Sequence, residues 1–269
     1  MEWFEQDLTT LAFLWRVERR DGIAIGFTSH DRDLWVGGLR HRAAPGMVPS
    51  ALERTDSLVP DDVELAGALT DRAFRAEDLL AGRWDGAVLT LSAANWADPA
   101  AAPIALAHGS FGAVELKDGG FSVALRGSAA AFDRAIVEAT SPTCRAELGD
   151  ARCRVDLAGR RAVARVSGTD GETIDFVALA GADGDFAGGS LRWLDGANAG
   201  LAARIVAQAG AQVTLEDVPA RPVAAGDRAV LTHGCDKRFA TCGARFANRA
   251  NFRGEPHLPG NDVLVRYGG

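Results

Sequence analysis

The sequence predicts a mainly β chain with a few short helices, built as barrels or sandwiches. Three observations carry that expectation. Apolar and polar residues alternate in short runs rather than recurring at helical spacing. The runs follow one another at intervals of about 8–12 residues, as strands of small β domains do. Gly and Asp gather between them, where tight turns need them. A hydrophobic content of 47% across 269 residues is that of a globular chain with room for more than one core.

In chain order, Leu8–Val17 carries apolar residues at Leu8, Leu11, Ala12, Phe13 and Leu14, a pattern that fits either helix or strand. Gly22–Leu39 reads as a hairpin, with I-A-I-G-F-T and L-W-V joined through S-H-D-R-D and ended by Gly37-Gly38. Ala76–Ala81 is a short helix stopped by Gly82. Ala87–Ala93 is a strand, and Phe121–Gly127 is another, preceded by the turn Asp118-Gly119-Gly120. Ser128–Glu138 reads as a helix with a Ser cap and apolar positions Ala131, Phe132, Ala135 and Ile136. Ser141-Pro142-Thr143-Cys144 has the cap and first-turn proline of a helix start, with Gly149 as its stop. Arg161–Leu179 forms a hairpin around Asp170-Gly171, and Ala211–Asp217 and Arg228–Thr232 continue the strands.

This layout divides the chain into a β-rich unit over 1–140, a cysteine segment at 141–154, a second β-rich unit over 155–232 and a cysteine segment at 233–269. Net charge is -7, but residues 233–269 hold six basic residues against three acidic ones, so the other 232 residues carry -10. An acidic body argues against general nucleic-acid binding, which depends on neutralising phosphates. The basic tail is expected to make ion pairs or to surround an anionic site. No apolar run approaches the roughly 20 residues that span a bilayer. The acidic start M-E-W-F-E-Q-D-L does not read as a secretory signal, so synthesis in the cytoplasm is expected.

The four cysteines are Cys144, Cys153, Cys235 and Cys242, two local pairs around the second β unit. All lie in polar, Arg-rich stretches, unlike the apolar strands where buried structural cysteines usually sit. In a reducing compartment this pattern points to a metal or cluster site ahead of free thiols or disulfides. A Cys144 at a helix start would be favoured as thiolate. The spacings C-x8-C and C-x6-C are wider than those of zinc knuckles and match no common ferredoxin run. On a continuous helix Cys235 and Cys242 would stand about 10 Å apart along the axis. One zinc ion, with Zn–S of about 2.3 Å, cannot take both from such a helix. Either the segment bends or the bound object is larger than one ion.

Two enzymatic readings compete. His233 and His257 lie near Cys235 and Cys242, as a Cys–His hydrolase would require, though no orienting third residue stands out. Asp31 and Asp33 of S-H-D-R-D would share one face of a strand, an arrangement open to acid–base work, although a solvated turn is the plainer reading. There is no Walker loop, dinucleotide fingerprint or H-E-x-x-H motif.

The stretch from Gly234 to Asp262, G-C-D-K-R-F-A-T-C-G-A-R-F-A-N-R-A-N-F-R-G-E-P-H-L-P-G-N-D, is distinctive. So are Gly26–Leu34 (G-F-T-S-H-D-R-D-L), Ala81–Ala87 (A-G-R-W-D-G-A), Ser141–Cys153 (S-P-T-C-R-A-E-L-G-D-A-R-C), Leu191–Gly200 (L-R-W-L-D-G-A-N-A-G) and Gly226-Asp227. Together they resemble the phage-tail baseplate hub family of alphaproteobacterial phages, prophages and gene transfer agents. That family is related to iron–sulfur tail-tip proteins of lambda-like phages. The resemblance implies a non-enzymatic structural protein of β hub domains with a small four-cysteine subdomain. It implies a homotrimer that joins the tail tube and distal tail ring to a tip protein, with DNA passing through its lumen unbound. It implies an iron–sulfur cluster, of the [4Fe-4S] type, on Cys144, Cys153, Cys235 and Cys242; zinc is the alternative. It also implies assembly into a tail baseplate after cytoplasmic synthesis. One departure is Gly243, where the family pattern leads one to expect a bulkier residue, which puts local packing in question.

Overall fold

The computed structural model describes residues 10–43, 48–49, 62–68, 75–117, 120–127 and 137–258. The chain divides into two compact units, Met1–Ile136 and Val137–Gly269. Among the described residues no helix is long and apolar enough to cross a membrane.

The first unit is a nine-stranded sheet. Its strands are β1 (Leu11–Glu18), β2 (Ala24–Thr28), β3 (Leu34–Val36), β4 (Leu39–Arg42), β5 (Val48–Pro49), β6 (Asp62–Ala68), β7 (Val88–Asn95), β8 (Ile104–Lys117) and β9 (Gly120–Arg126), in the order β3-β4-β2-β1-β7-β8-β9-β6-β5. A short helix, α1 (Ala76–Leu80), precedes β7. The ambiguous Leu8–Val17 run is strand β1 from Leu11 onward. Because side chains alternate across a strand, Trp15 and Val17 pack into one core with Phe27, Leu89 and Leu91. Ala12 and Leu14 point into a second cluster with Leu34, Val36 and Ala94. With both faces buried, strict alternation is lost, which is why the sequence left this run ambiguous.

The Gly22–Leu39 hairpin is corrected. β2 does not pair with β3; it pairs antiparallel with β1 and parallel with β4, while β3 pairs with β4. The S-H-D-R-D stretch between β2 and β3 is held by side-chain bonds instead. Ser29 Oγ accepts the Phe13 N–H, and Thr28 Oγ1 accepts the His30 N–H. The helix expected at Ser128–Glu138 falls almost wholly outside the described residues.

In the second unit, β10 (Arg161–Asp170), β11 (Thr173–Phe176), β12 (Ser190–Trp193), β13 (Ala202–Ala209), β14 (Gln212–Leu215) and β15 (Arg228–Thr232) close into a barrel ordered β10-β11-β14-β13-β12-β15. The Asp170-Gly171 hairpin is present, with Gly171 in the left-handed region at φ 58°. Ile174, Phe186, Leu191, Ile205, Val213, Ala229 and Leu231 fill the interior at 0% exposure. Closure pairs the first strand with the last, Arg161 opposite Thr232. The chain therefore enters and leaves the barrel side by side, and His233 N–H donates to the Arg160 carbonyl at 3.0 Å. That meeting brings the two cysteine segments together.

Candidate metal centre

All four cysteines line one cavity, with Ala146, Lys237, Asn248 and Phe252 also on its wall. They are free thiols; Cys153 and Cys242 are buried, and Cys144 and Cys235 half-buried. The expected helix start at Ser141-Pro142-Thr143-Cys144 is not formed: residues 141–147 run as coil and bends. Ser141 Oγ instead accepts the Thr143 N–H at 3.2 Å, a local bond that competes with helix. The segment is held open by a partner. Cys144 N–H donates to the Lys237 carbonyl at 2.8 Å, and Arg145 N–H to that of Arg253 at 2.9 Å. Those backbone bonds across the flanks satisfy groups that a helix would have used internally.

Cys153 is set by a turn around Asp150. Its carboxylate accepts N–H bonds from Cys153 (2.6 Å), Arg152 (2.9 Å) and Glu147 (2.9 Å). The Cys153 bond is the first reason the Asp150 carboxyl lies below its ordinary range. On the other flank a helix, α2 (Phe239–Phe246), begins after Cys235. Only Cys242 is helical, so the bend allowed by the spacing is the observed geometry. α2 ends at Ala247 in the left-handed conformation, φ 48°. Among the described residues the non-glycine positions with positive φ are Arg154, Lys237 and Ala247. All three lie in the cysteine segments. Each costs on the order of 1–3 kcal/mol, strain that persists only where the surroundings impose it.

Three sulfurs face N–H donors. Cys144 Sγ accepts from Arg253 N–H at 3.3 Å, Cys235 Sγ from Lys237 N–H at 3.4 Å, and Cys153 Sγ from the Asn248 amide at 3.7 Å. Burial pushes both the Cys235 and Cys242 thiols up. For Cys242 the negative charge of Cys235, Cys144 and Cys153 adds to the rise, so the four are electrostatic neighbours. Thiolates gathered this way need a cation among them. Among the described residues, no three His, Cys, Asp or Glu side chains are gathered as one metal ion requires. The wall of the cavity carries no carboxylate or imidazole. An all-sulfur donor set of this kind is soft, the set that iron–sulfur clusters and zinc select. The residues present fit such a group.

Around the thiols lies a polar frame that the sequence alone did not single out. Arg145 grips Glu255 with two parallel bonds of 2.7 and 2.8 Å and also reaches Glu138 at 3.1 Å. Lys237 Nζ donates to the Ala146 carbonyl at 2.6 Å and pairs with Glu147 at 2.9 Å. The dense alternation of Arg and acid in both segments was the available signal. In the tail, Arg245 pairs with Asp185 at 2.8 Å and covers Phe246 at 5.2 Å from the ring centre, where Arg160, ahead of the barrel, also packs at 5.0 Å. Gly243 lies under another of the tail arginines. A methyl at that position would displace the Arg249 guanidinium, the movable end of a side chain that lies 5.4 Å from the Phe239 ring centre.

The candidate catalytic residues are engaged elsewhere. His233 packs edge-on to Phe186 at 4.8 Å, and burial lowers its pKa. His257 packs against Phe239 at 5.9 Å. Asp33 binds Arg40 at 2.6 Å and caps Ala43 N–H at 2.9 Å, while Asp31 is exposed beside His30. Asp31 and Asp33 thus have different partners.

Residues 1–156 match the family described as baseplate hub protein, N-terminal attachment domain. The chain belongs to the phage baseplate hub family. Residues 184–262 of this hub protein match a second family, described as phage conserved hypothetical protein BR0599. Its fold is similar to a chain in a solved structure described as the virion of a native gene transfer agent particle. The two are 38% identical, with a TM-score of 0.87 and coverage of 98% of this chain and 94% of the other. No curated protein matches the hub chain.

Proposed function

We propose that this baseplate hub protein works as a trimeric adaptor in a phage-like tail, and that an iron–sulfur cluster on Cys144, Cys153, Cys235 and Cys242 staples its second unit. The observation that carries the cluster is the convergence of four thiols from two distant segments on one cavity, three of them facing N–H donors. Four thiols on one cavity, at sequence spacings wider than those of zinc knuckles, favour a cluster over zinc. Bound there, the cluster supplies cross-linking: its ligation energy adds to the folding of segments that bury little apolar surface. The role is structural, and no step of catalysis is assigned to His233, His257, Asp31 or Asp33.

The open sheet of the first unit ends in the short strand β3, where Trp35 is 67% exposed. A sheet edge of that kind supports assembly with other copies and with a distal tail ring, because unpaired strand edges seek partners. The -10 carried by residues 1–232 supports a lumen that repels DNA and lets it pass toward a tip protein below.

The test is anaerobic purification of the full chain, with iron, acid-labile sulfide and native mass measured. Brown protein containing iron and sulfide, with the mass of three chains, is expected. Colourless protein with stoichiometric zinc would replace the cluster with a zinc module. Cys235→Ser is expected to block particle assembly. Particles that assemble normally with this variant would remove the staple role.

A further inference from the structure

We propose that Asn248 is the positioning residue of the cysteine site, tying Cys153 on one flank to Cys242 on the other and tuning the charge on a sulfur. The inference rests on the iron–sulfur reading above. Asn248 spends every polar group on the site. Its backbone N–H donates to the Cys242 carbonyl at 3.0 Å, and its own carbonyl accepts from Cys242 Sγ at 3.4 Å while that sulfur is a free thiol, a bond given up when the sulfur becomes a ligand. Its side-chain Nδ2 donates to the Cys153 carbonyl at 2.6 Å and faces Cys153 Sγ at 3.7 Å. Its Oδ1 accepts from Asn251 Nδ2 at 2.7 Å. That last bond decides which end of the amide faces the sulfur, since the network, rather than the atoms' appearance, assigns it.

Left-handed Ala247 makes this possible by turning the chain back at the end of α2, so that Asn248 folds over Cys242 instead of running on. A residue that merely capped the helix would need only its backbone. The side chain reaches 95 positions back along the chain to Cys153. The other two N–H···S contacts, from Lys237 and Arg253, are backbone donors that no ordinary substitution removes. Asn248 is the side-chain donor to a sulfur among the described residues. An N–H···S bond draws electron density from a thiolate, which favours the reduced cluster and raises its potential. Partners one shell out from the ligands typically change retention by on the order of 10–100-fold.

The experiment compares the full-length, anaerobically purified protein with Asn248→Ala, Asn248→Asp and Asn251→Ala. Bleaching of the visible band under excess EDTA reports retention, and a mediated redox titration followed by electron paramagnetic resonance reports the potential. Asn248→Ala is expected to lose iron roughly tenfold faster or more, with a more negative potential. Asn248→Asp keeps the shape but turns a carboxylate toward Cys153, so both effects are expected to grow. Asn251→Ala, which frees the amide without removing it, is expected to shift both in the same direction by less. Wild-type retention and potential in the two Asn248 variants would overturn the assignment. So would faster loss at an unchanged potential, which is what a cap with no hold on the sulfur gives. If neither Asn248 variant folds by circular dichroism, Asn251→Ala decides, and wild-type behaviour there overturns it. A wild-type protein without iron and sulfide defeats the cluster reading itself, a result seen before any substitution is made.

Discussion

The barrel and the two cysteine flanks that leave it are held together by different physics. The barrel rests on a continuous apolar core, Ala164 to Leu231, contributed by all six strands. The flanks bury Ala146, Cys153 and Cys242, and little else apolar. Their bonds are polar and span great distances along the chain. Lys237 reaches Ala146 across 91 positions, and Ser141 reaches Glu255 across 114. Such contacts carry a large loop-closure entropy unless something has already brought the ends together. Barrel closure does this by pairing β10 with β15. The lesson is an order of dependence: the barrel can stand on hydrophobic burial, whereas the flanks lean on the barrel and on whatever the thiols hold.

The largest expected effect tests the barrel. Trp193→Ala empties a core position that is 2% exposed, and a loss of about 3–5 kcal/mol is expected in urea unfolding. The flanks should lose hydrogen-exchange protection along with the barrel. Flanks that stay protected while the barrel opens would reverse the order of dependence.

A smaller effect tests the joint. Gly234 and Gly189 lie backbone against backbone, and a methyl at Gly234 would collide with the Ala187 carbonyl and the Gly189 nitrogen. Gly234→Ala is expected to cost about 1–3 kcal/mol and to push the Cys235 segment off the barrel. Reduced metal retention with an intact barrel spectrum is the sign to look for. A variant with unchanged metal content would show that the joint does not position Cys235.

The smallest effect belongs to the ion pairs. The Arg145 guanidinium, with the Ser141 N–H behind it, lowers the Glu255 carboxyl to about 2. A carboxylate depressed in the folded state contributes stability above its ordinary range, and that contribution fades as pH falls toward about 2. Exposure of the pair keeps the effect modest. Protection of residues 141–145 should therefore weaken with acid in the wild type. Glu255→Gln should be weaker throughout, with a flatter acid dependence. Equal slopes for the two proteins would show that this clasp adds nothing to the flanks.

Much of this was legible in the residues. Alternation and Gly/Asp turns marked β10, β11, β14 and β15, because a small barrel has one wet and one dry face. The motifs around the four cysteines carried the family, and the four cysteines do line one cavity. Other features were not legible. β12 and β13 are too short or too polar in sequence to stand out. β2 and β3 looked like a hairpin because adjacent strands usually pair, yet β4 inserts between them by parallel pairing with β2. The coil at Ser141–Cys144 carries good helix-start residues, and tertiary backbone bonds to Lys237 and Arg253 override them.

By itself the sequence determined the β character, the family and which four sulfurs belong together, since these depend on local pattern and on residue type. Only the tertiary structure decided how the sulfurs meet. Cys144 stands in a coil, Cys242 on a helix and Cys235 in the coil ahead of that helix, with Asn248 bonded across the two flanks. The reason is physical. A barrel joins its first strand to its last, and that closure sets side by side residues 95 and 109 positions apart in the chain, Asn248 with Cys153 and Arg253 with Cys144, beyond the reach of any local pattern.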